Sequence, residues 1–250
     1  MFFGSPLATA LTPDYPFIAF FGVLNLAFFI GIPILSLALI ARRLVSPTKY
    51  NVKWKNSLTL FWALNIASLF GVGSYIANQF SVNKTINSTT QELTSTENVW
   101  TLRAAENPYA DAWLSLGNLD IAGDVIASKA VQIQIEKSKD DLFHIEVDKR
   151  SRGKNLEAAT TSATKLQHQL IIEDNEILFD PYFALKEGEK WRNQHITIRL
   201  FIPEGQSIQF EDLPWHIKRN IRSEYLDQRN SWYTMQNGEV WTMSETGFER

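Results

Sequence analysis

Cysteine is absent from this sequence of 250 residues, and histidine occurs only four times. The lack of cysteine excludes disulfide bonds, thiol nucleophiles and thiolate metal ligands. The four histidines never stand three or four residues apart, which is the spacing that places two imidazoles on one face of a helix. The sequence therefore predicts no metal site and no cofactor.

Motifs for common catalytic chemistry are also missing. The sequence contains neither a glycine-rich phosphate loop with its lysine nor the Gly-x-Ser-x-Gly elbow of serine hydrolases. Carboxylates are abundant, but most lie in predicted turns, where they are solvated or bond their own backbone. A pair of carboxylates acting on a glycosidic bond stays an open alternative. We expect a protein that is not an enzyme.

Two long segments near the start of the chain contain no charged residue. They cover residues 17–40 and residues 57–78, and each exceeds the roughly 20 residues needed to cross the hydrocarbon core of a bilayer. Their polar residues, such as Asn25 and Asn65, are isolated, so we expect hydrogen bonds between helices rather than an ion path. We predict two transmembrane helices in a transmembrane region of residues 1–80.

The segment between these two runs is basic. It contains five cations and no acid, namely Arg42, Arg43, Lys49, Lys53 and Lys55. By the positive-inside rule, the loop of residues 41–56 is expected to face the cytoplasm, with contact to anionic lipid heads as a second role. Because the whole chain has a net charge of −3, the remaining residues are acidic, which argues against nucleic acid as a partner.

A polar segment follows the second apolar run. Residues 81–98 are rich in serine, threonine and asparagine and have few large apolar side chains. Such a composition buries too little surface to fold by itself. We therefore predict a polar linker over residues 81–105 and an exported β-rich domain over residues 106–250.

Alternation of apolar and polar residues predicts that most of the exported domain is β-strand. The pattern is clearest from Ile196 to Ile202. Two further strands at 131–135 and 143–147 are predicted to form a hairpin across a polar turn. Shorter hairpins are expected at 119–128 and 170–179, each around a turn rich in aspartate, asparagine or glycine.

Other parts of the domain show a different pattern. Apolar residues three or four positions apart, from Leu156 to Leu166, predict a short helix. A second helix is expected to start after Asp212 as its N-cap, with Pro214 in its first turn. The tail reads as a last strand and a turn. The predicted fold is two transmembrane helices followed by a mainly β domain of stacked hairpins with one or two short helices.

The stretch "FDPYFALKEGEKWRNQ", residues 179–194, is the best candidate for a specific site. It combines a turn, an aromatic pair, a glycine and a group of cations around a tryptophan. The candidate residues are Asp180, Pro181, Tyr182, Phe183, Gly188, Lys190, Trp191 and Arg192. One interpretation is a recognition loop, and the other is a hairpin loop whose aromatic rings fill the end of the core. The second is favoured, because large aromatic side chains are usually buried.

Several segments resemble a known family. They are "VQIQIEKSKDDLFHIEVDKRSRGKNLEAA", "LIIEDNEILFDPYFALKEGEKWRNQHITIRLFIPEG" and "EVWTMSETGFE". They are similar to the C-terminal region of phage-shock-protein C (PspC) domain proteins of Bacteroidetes-type bacteria, where the region resembles the Toast-rack domain of Lia-type regulators. The apolar segment "FFGVLNLAFFIGIPILSLALIARRL" resembles the membrane spans that precede that domain. The resemblance covers roughly residues 15–250.

The resemblance implies a non-enzymatic inner-membrane protein of the cell-envelope stress response, with its β domain in the periplasm. Family members begin with a phage-shock module, so this chain is expected to be a C-terminal half, from a fragment or a split gene. Its expected partners are membrane lipids, a partner membrane protein or the missing PspC module, and an amphipathic peptide or lipid ligand. The alternative functions are a membrane-tethered hydrolase of envelope glycans or lipids and an adhesin-like surface module.

Overall fold

The computed structural model describes residues 16–45, 52–94, 98–123, 125–186, 189–224 and 236–250. These residues divide into two compact units, one helical and ending at Ser81, the other a β domain of residues 82–250. Each unit has its own internal packing, and the two are described separately below.

The helical unit consists of two long helices, α1 (Pro16–Val45) and α2 (Val52–Asn78). Both contain an apolar stretch long enough to cross a membrane, Phe20–Arg42 and Asn56–Asn78. The predicted pair of apolar helices is confirmed, and its length and composition suit membrane anchoring.

Both helices are longer than the predicted spans. Arg42 and Arg43 lie in α1, and Lys53 and Lys55 lie in α2, so four of the five cations belong to helix ends rather than to a loop. A helix can continue past its apolar stretch because long basic side chains are well solvated at the edge of a membrane. Lys49 lies outside the described residues.

Two asparagines connect α1 and α2. The Nδ2 group of Asn65 donates to Oδ1 of Asn25 at 2.8 Å, and Nδ2 of Asn25 donates to Oγ of Ser68 at 2.8 Å. Phe29 and Trp62 stack nearby with nearly parallel rings. The predicted hydrogen bonding between the helices through Asn25 and Asn65 is confirmed.

Substituting Asn65 by alanine is expected to weaken the association of α1 and α2 by about 0.5–1.5 kcal/mol, because Asn25 loses its donor in an apolar setting. The absence of native cysteine allows a clean readout. A β-carbon at Gly22 would lie 3.4 Å from Cγ1 of Val72, so a Gly22→Cys/Val72→Cys pair reports helix contact by disulfide yield in membranes. The yield should fall in Asn65→Ala and not in Asn78→Ala, which changes an exposed asparagine. Equal yields would contradict the role of the network.

The β domain contains fifteen strands among its described residues. In chain order they are β1 (Val82–Leu93), β2 (Val99–Ala104), β3 (Leu114–Leu116), β4 (Leu119–Ala122), β5 (Val125–Ser128), β6 (Val131–Lys137), β7 (Phe143–Gly153), β8 (Leu170–Glu173), β9 (Glu176–Phe179), β10 (Phe183–Leu185), β11 (His195–Ile202), β12 (Ser207–Glu211), β13 (Ile221–Ser223), β14 (Val240–Met243) and β15 (Phe248–Glu249). They form three sheets. The mainly β fold predicted for this part of the chain is confirmed.

Sheet I has the strand order β1-β7-β11-β6-β13, sheet II the order β10-β5-β4-β3, and sheet III the order β15-β14-β12-β2-β9-β8. Antiparallel and parallel pairs are mixed: β11 pairs in parallel with β6, and β2 pairs in parallel with both β9 and β12. All three sheets contribute to one continuous hydrophobic core. Parallel pairs need long connections, so strands distant in sequence are brought side by side.

Strand β11 forms the centre of the core, as its alternation predicted. Ile196, Ile198, Leu200 and Ile202 are fully buried, while the residues between them are only partly buried. The hairpins β4–β5 and β8–β9 are also confirmed. The turn of the second hairpin has positive φ angles at Asp174 and Asn175, which suits the right-handed twist of the strands.

The predicted hairpin between 131–135 and 143–147 is wrong. Strands β6 and β7 do exist, but β11 lies between them, antiparallel to β7 and parallel to β6. This arrangement gives the most apolar strand two neighbours and places it in the middle of the sheet, where its side chains are best buried. Alternation predicts a strand but not its partner, so the sequence could not exclude the simpler pairing.

The polar segment predicted as a linker is largely strand. β1 pairs with β7 along its whole length, from Val82 opposite Gly153 to Leu93 opposite Phe143, with one bulge. As an edge strand, β1 needs backbone partners more than it needs apolar side chains, and its valine, isoleucine and threonines suit extended backbone. The composition indicated only that the segment could not fold alone. In the structure it forms the edge strand of sheet I by pairing with β7.

The two helices of the β domain are α3 (Leu156–Thr164) and α4 (Trp215–Lys218). In α3 the predicted apolar face is present at Ala159 and Ala163, which are fully buried, but Leu156 is exposed. The side chain of Asn155 caps α3 by accepting from the backbone N–H of Ala158 at 2.8 Å.

The second predicted helix is corrected in both its start and its length. Pro214, and not Asp212, occupies the N-cap position of α4. Asp212 has a positive φ of 51°, and its side chain accepts from Asn237 at 3.1 Å. The helix is one turn long, and the chain then continues into β13, where Ile221 pairs with Ile133 of sheet I.

Candidate functional site

The candidate stretch of residues 179–194 connects all three sheets. It leaves sheet III at Phe179, adds β10 to sheet II opposite β5, and enters sheet I at His195. It is therefore not the loop of a hairpin. It is a corner at which the chain passes through three layers, and we call residues 179–194 the corner segment.

Most side chains predicted as a recognition surface are directed into the domain. Pro181, Tyr182 and Phe183 are buried, and Trp191 packs against the core. Arg192 is only 8% exposed, and its Nη1 donates to the carbonyl oxygen of Trp191 at 3.0 Å. This arrangement supports the interpretation in which the aromatic rings fill the end of the core.

The remaining candidates lie at the edges of the corner segment. Asp180 is partly buried, and its Oδ2 accepts from the backbone N–H of Gln169 at 3.0 Å. Lys190 is also partly buried, and its carbonyl oxygen accepts from Nε2 of Gln194 at 2.9 Å. Gly188 lies outside the described residues. The polar groups of the segment thus mainly fix its own backbone.

Tyr182 joins the corner segment to a group of aromatic rings. It meets Tyr109 edge to face, with centroids 6.1 Å apart, and lies against the ring of His216 at 4.9 Å. Nε2 of buried His216 donates to the carbonyl oxygen of Pro181 at 3.0 Å. One residue of α4 therefore anchors both the backbone and the ring of the corner segment.

An ion pair lies beside these rings. Asp120 is 4% exposed, and its Oδ1 accepts from Nζ of Lys129 at 2.7 Å and from Oγ of Ser115 at 2.6 Å. Burial raises the pKa of Tyr182, and the negative charge of Asp120 raises it further. Asp120, Tyr182 and His216 are buried, Lys129 is partly buried, and Ser115 lies at the exposed edge of the group. We call these five residues the buried polar cluster.

The buried polar cluster resembles a nucleophile with a base only in its composition. Nζ of Lys129 lies 3.2 Å from Oγ of Ser115, but an activating amine must be uncharged and free to accept a proton. Here the lysine donates to Asp120, and the serine proton is also directed to Asp120. The geometry is that of a hydrogen-bonded ion pair between β4 and the residue that follows β5 in sheet II.

Several carboxylates elsewhere in the domain are paired with arginines. Arg199 donates to Glu146 at 2.7 Å and to Asp148 at 2.8 Å on sheet I. On sheet III, the corresponding arginine is Arg103, which pairs with Glu176 at 2.8 Å and also with Glu211 and Asp212. Each arginine bridges carboxylates from neighbouring strands or turns, which is an arrangement that organises a sheet surface.

Three histidines lie in positions that disfavour their charged form. His168 bonds the carbonyl oxygen of Asp180 at 2.9 Å, and His195 contacts Oε1 of Gln132 at 3.3 Å. Burial lowers the pKa of His168, His195 and His216, and that of His195 reaches about 4, with Arg150 and Arg222 adding to the effect. All three are therefore neutral at physiological pH.

Acid is expected to destabilise the β domain through these histidines. Between about pH 6.5 and pH 4 an unfolded chain binds protons at His195 that the folded domain does not, so stability falls as the pH falls through this range. We expect roughly 2 kcal/mol from His195 after allowing for its partial exposure.

Urea unfolding at several pH values tests this expectation. His195→Gln should show a shallower loss of stability between pH 6.5 and 4 than the wild type, with the remainder coming from His168 and His216. Above pH 7 the two proteins should differ only by a constant offset. Parallel stability profiles across the whole range would contradict the expectation.

Two helices of membrane-spanning length precede a separate domain of three sheets, an arrangement that suits a membrane-anchored β protein. A family model of the Toast-rack domain found in some PspC proteins matches residues 120–249. Because the match covers just over half of the chain, the protein belongs to this family. No curated protein and no solved structure matches the chain.

The family match starts inside sheet II, whereas the folded β domain begins earlier. β1 and β2 precede residue 120, yet β1 forms an edge of sheet I and β2 lies within sheet III. Sequence reasoning found the corner segment but missed its partners Asp120, Lys129 and His216. The one signal for Asp120 is its place in the short strand "LDIA", where a charged residue stands among apolar ones.

Proposed function

We propose that the protein is a non-enzymatic, membrane-anchored sensor or scaffold of the cell-envelope stress response. Its β domain stands in the periplasm and reads the state of the envelope, and the helices α1 and α2 hold it at the inner membrane. The observation that carries the proposal is the PspC-type Toast-rack domain on a chain that also has two membrane-length helices.

The proposed orientation rests on charge. The cations between the apolar stretches favour a cytoplasmic position for residues 41–56, and this position leaves the β domain on the opposite side of the membrane. The proposed partners are membrane lipids and a membrane protein that carries a PspC module, and the signal is an amphipathic peptide or a lipid. The paired carboxylates and the occupied lysine of the buried polar cluster agree with a role that needs no catalysis.

Deletion of the gene and challenge with membrane-active agents tests the proposal. We expect the deletion strain to lose its transcriptional stress response and to survive less well, and we expect the full-length chain to restore both. A chain with intact helices but without residues 82–250 should not restore them. An unchanged response and unchanged survival in the deletion strain would contradict the proposal.

A further inference from the structure

Sheet I has a polar outer face, on the side opposite the buried isoleucines of β11. His195 of β11 stands directly opposite Arg150 of β7 in the strand register. Side chains paired in this way project from the same face with their β-carbons about 5 Å apart. His195 therefore lies beside an exposed arginine.

The same face continues across two more strands. Gln132 of β6 contacts His195, with Oε1 3.3 Å from Nε2. On β13, exposed Arg222 stands opposite Gln134, the next outward residue of β6. The backbones of β7 and β13 are three strand spacings apart, about 14 Å, with β11 and β6 between them. Along the strands, Arg222 stands level with Arg199 of β11, its neighbour across Gln134, so Arg150 and Arg222 lie on a diagonal that runs past His195 and Gln132.

Both arginines act on the histidine between them. The pKa of His195 is lowered to about 4, mainly by burial and in part by the positive charges of Arg150 and Arg222. The ring is uncharged at neutral pH, and its single N–H group is the Nε2–H that faces Oε1 of Gln132 at 3.3 Å. The positive potentials of the two arginines thus overlap at a neutral ring that adds no third positive charge and orients the Gln132 amide.

A comparison on the same face shows what these arginines lack. Arg199 is neutralised by Glu146 and Asp148 at 2.7 and 2.8 Å. Within the described part of the chain, neither Arg150 nor Arg222 has a carboxylate at ion-pair distance. Two exposed guanidinium groups with no such carboxylate among the described residues, on a diagonal that also holds the Gln132 amide, provide the planar, multiple donors that oxyanions require.

We propose that Arg150, His195 and Arg222, together with Gln132, form a binding site for a phosphate group on the outer face of sheet I. The phosphate belongs to a lipid headgroup or to free phosphate, since both present the same oxygens. The site depends on sheet I alone, so it stands whether or not the protein acts as a stress sensor.

Binding is tested on the full chain in nanodiscs of neutral phosphatidylcholine, with inorganic phosphate and with phosphatidylglycerol vesicles as probes. The ring signals of His195 in NMR spectra report occupancy directly. A bound anion should raise the pKa of His195 above its value of about 4. We expect Arg150→Gln and Arg222→Gln each to weaken binding about tenfold.

A matched control removes the same charge elsewhere. Arg219 is exposed and lies over the ring of Trp215, with its guanidinium carbon 5.1 Å from the ring centroid. Arg219→Gln should bind both probes like the wild type, and circular dichroism melts confirm that each variant is folded. A response of His195 to inorganic phosphate assigns free phosphate as a ligand, and a response to the vesicles alone assigns the lipid headgroup. No response to either probe, or equal losses in all three variants, would overturn the site.

Discussion

Gly153→Ala is expected to lower the free energy of unfolding of the β domain by about 3 kcal/mol or more. A β-carbon at this position would lie 2.5 Å from the backbone nitrogen of Ala159 and 2.9 Å from the carbonyl carbon of Ala158. Neither atom belongs to a flexible side chain, so α3 must move away from β7. This movement would expose the buried alanines of α3 and break the hydrogen bond between Ser151 and Ser162, which is 2.8 Å long.

Gly117→Ala is the matched control for this prediction. Gly117 has a positive φ of 60°, and a β-carbon there would have no neighbour within 4 Å. The substitution should cost only the backbone strain of about 1 kcal/mol. Chemical denaturation of both variants measures the difference. If Gly153→Ala costs no more than Gly117→Ala, then α3 does not pack on β7 as closely as described.

Asp120→Ala is expected to destabilise the domain by about 3–5 kcal/mol, because it leaves the ammonium group of Lys129 largely buried without its carboxylate. The side chain of Lys129 is 22% exposed, so water can replace little of the lost interaction. Ser115 loses its acceptor in the same step. The loss should appear as a lower midpoint of urea unfolding with an unchanged dependence on urea concentration.

The double variant Asp120→Ala/Lys129→Met tests whether the stability lost in Asp120→Ala comes from the unpaired charge of Lys129 or from the cavity left by the smaller side chain. It should recover most of the lost stability, because removing both charges leaves no unpaired ion. Glu204→Ala is the exposed control: its carboxylate pairs with Lys137 at 2.8 Å, and its loss should cost less than about 1 kcal/mol. A double variant no more stable than Asp120→Ala would contradict the stranded-charge explanation.

The features that the sequence predicted well are those set by local pattern. β11 alternates so regularly that its buried face could be read directly, and the uncharged apolar runs were sufficient to predict the two long helices α1 and α2. The turn at Asp174 and Asn175 joins strands that are neighbours in sequence, so short-range rules were sufficient.

The features that the sequence did not predict depend on distant partners. The composition of β1 describes its own burial, but its stability comes from pairing with β7 along its whole length. The insertion of β11 between β6 and β7 is decided by burial of the whole sheet. The buried polar cluster combines Asp120 and Lys129, from β4 and the end of β5, with His216 of α4. No sequence pattern indicates that these residues lie close together in the fold.

The corner segment shows both cases together. Its sequence is part of the resemblance to the family, and its aromatic side chains were expected to fill the end of the core. Their neighbours could not be foreseen, because Tyr182 meets Tyr109 and His216 only after three sheets have assembled. The described side chains of this mixture of charged and aromatic residues are thus mostly buried at the junction of the three sheets.

Labelling of single cysteines in intact cells tests the central claim most directly, since the chain has no cysteine of its own. Glu245→Cys places a thiol at an exposed turn of the β domain, and Lys49→Cys places one between the apolar stretches. After permeabilisation of the outer membrane, a membrane-impermeant maleimide should label the cysteine at 245 at once and the cysteine at 49 only after lysis. Labelling at 49 before lysis, with the cysteine at 245 protected, would contradict an exported β domain anchored by α1 and α2.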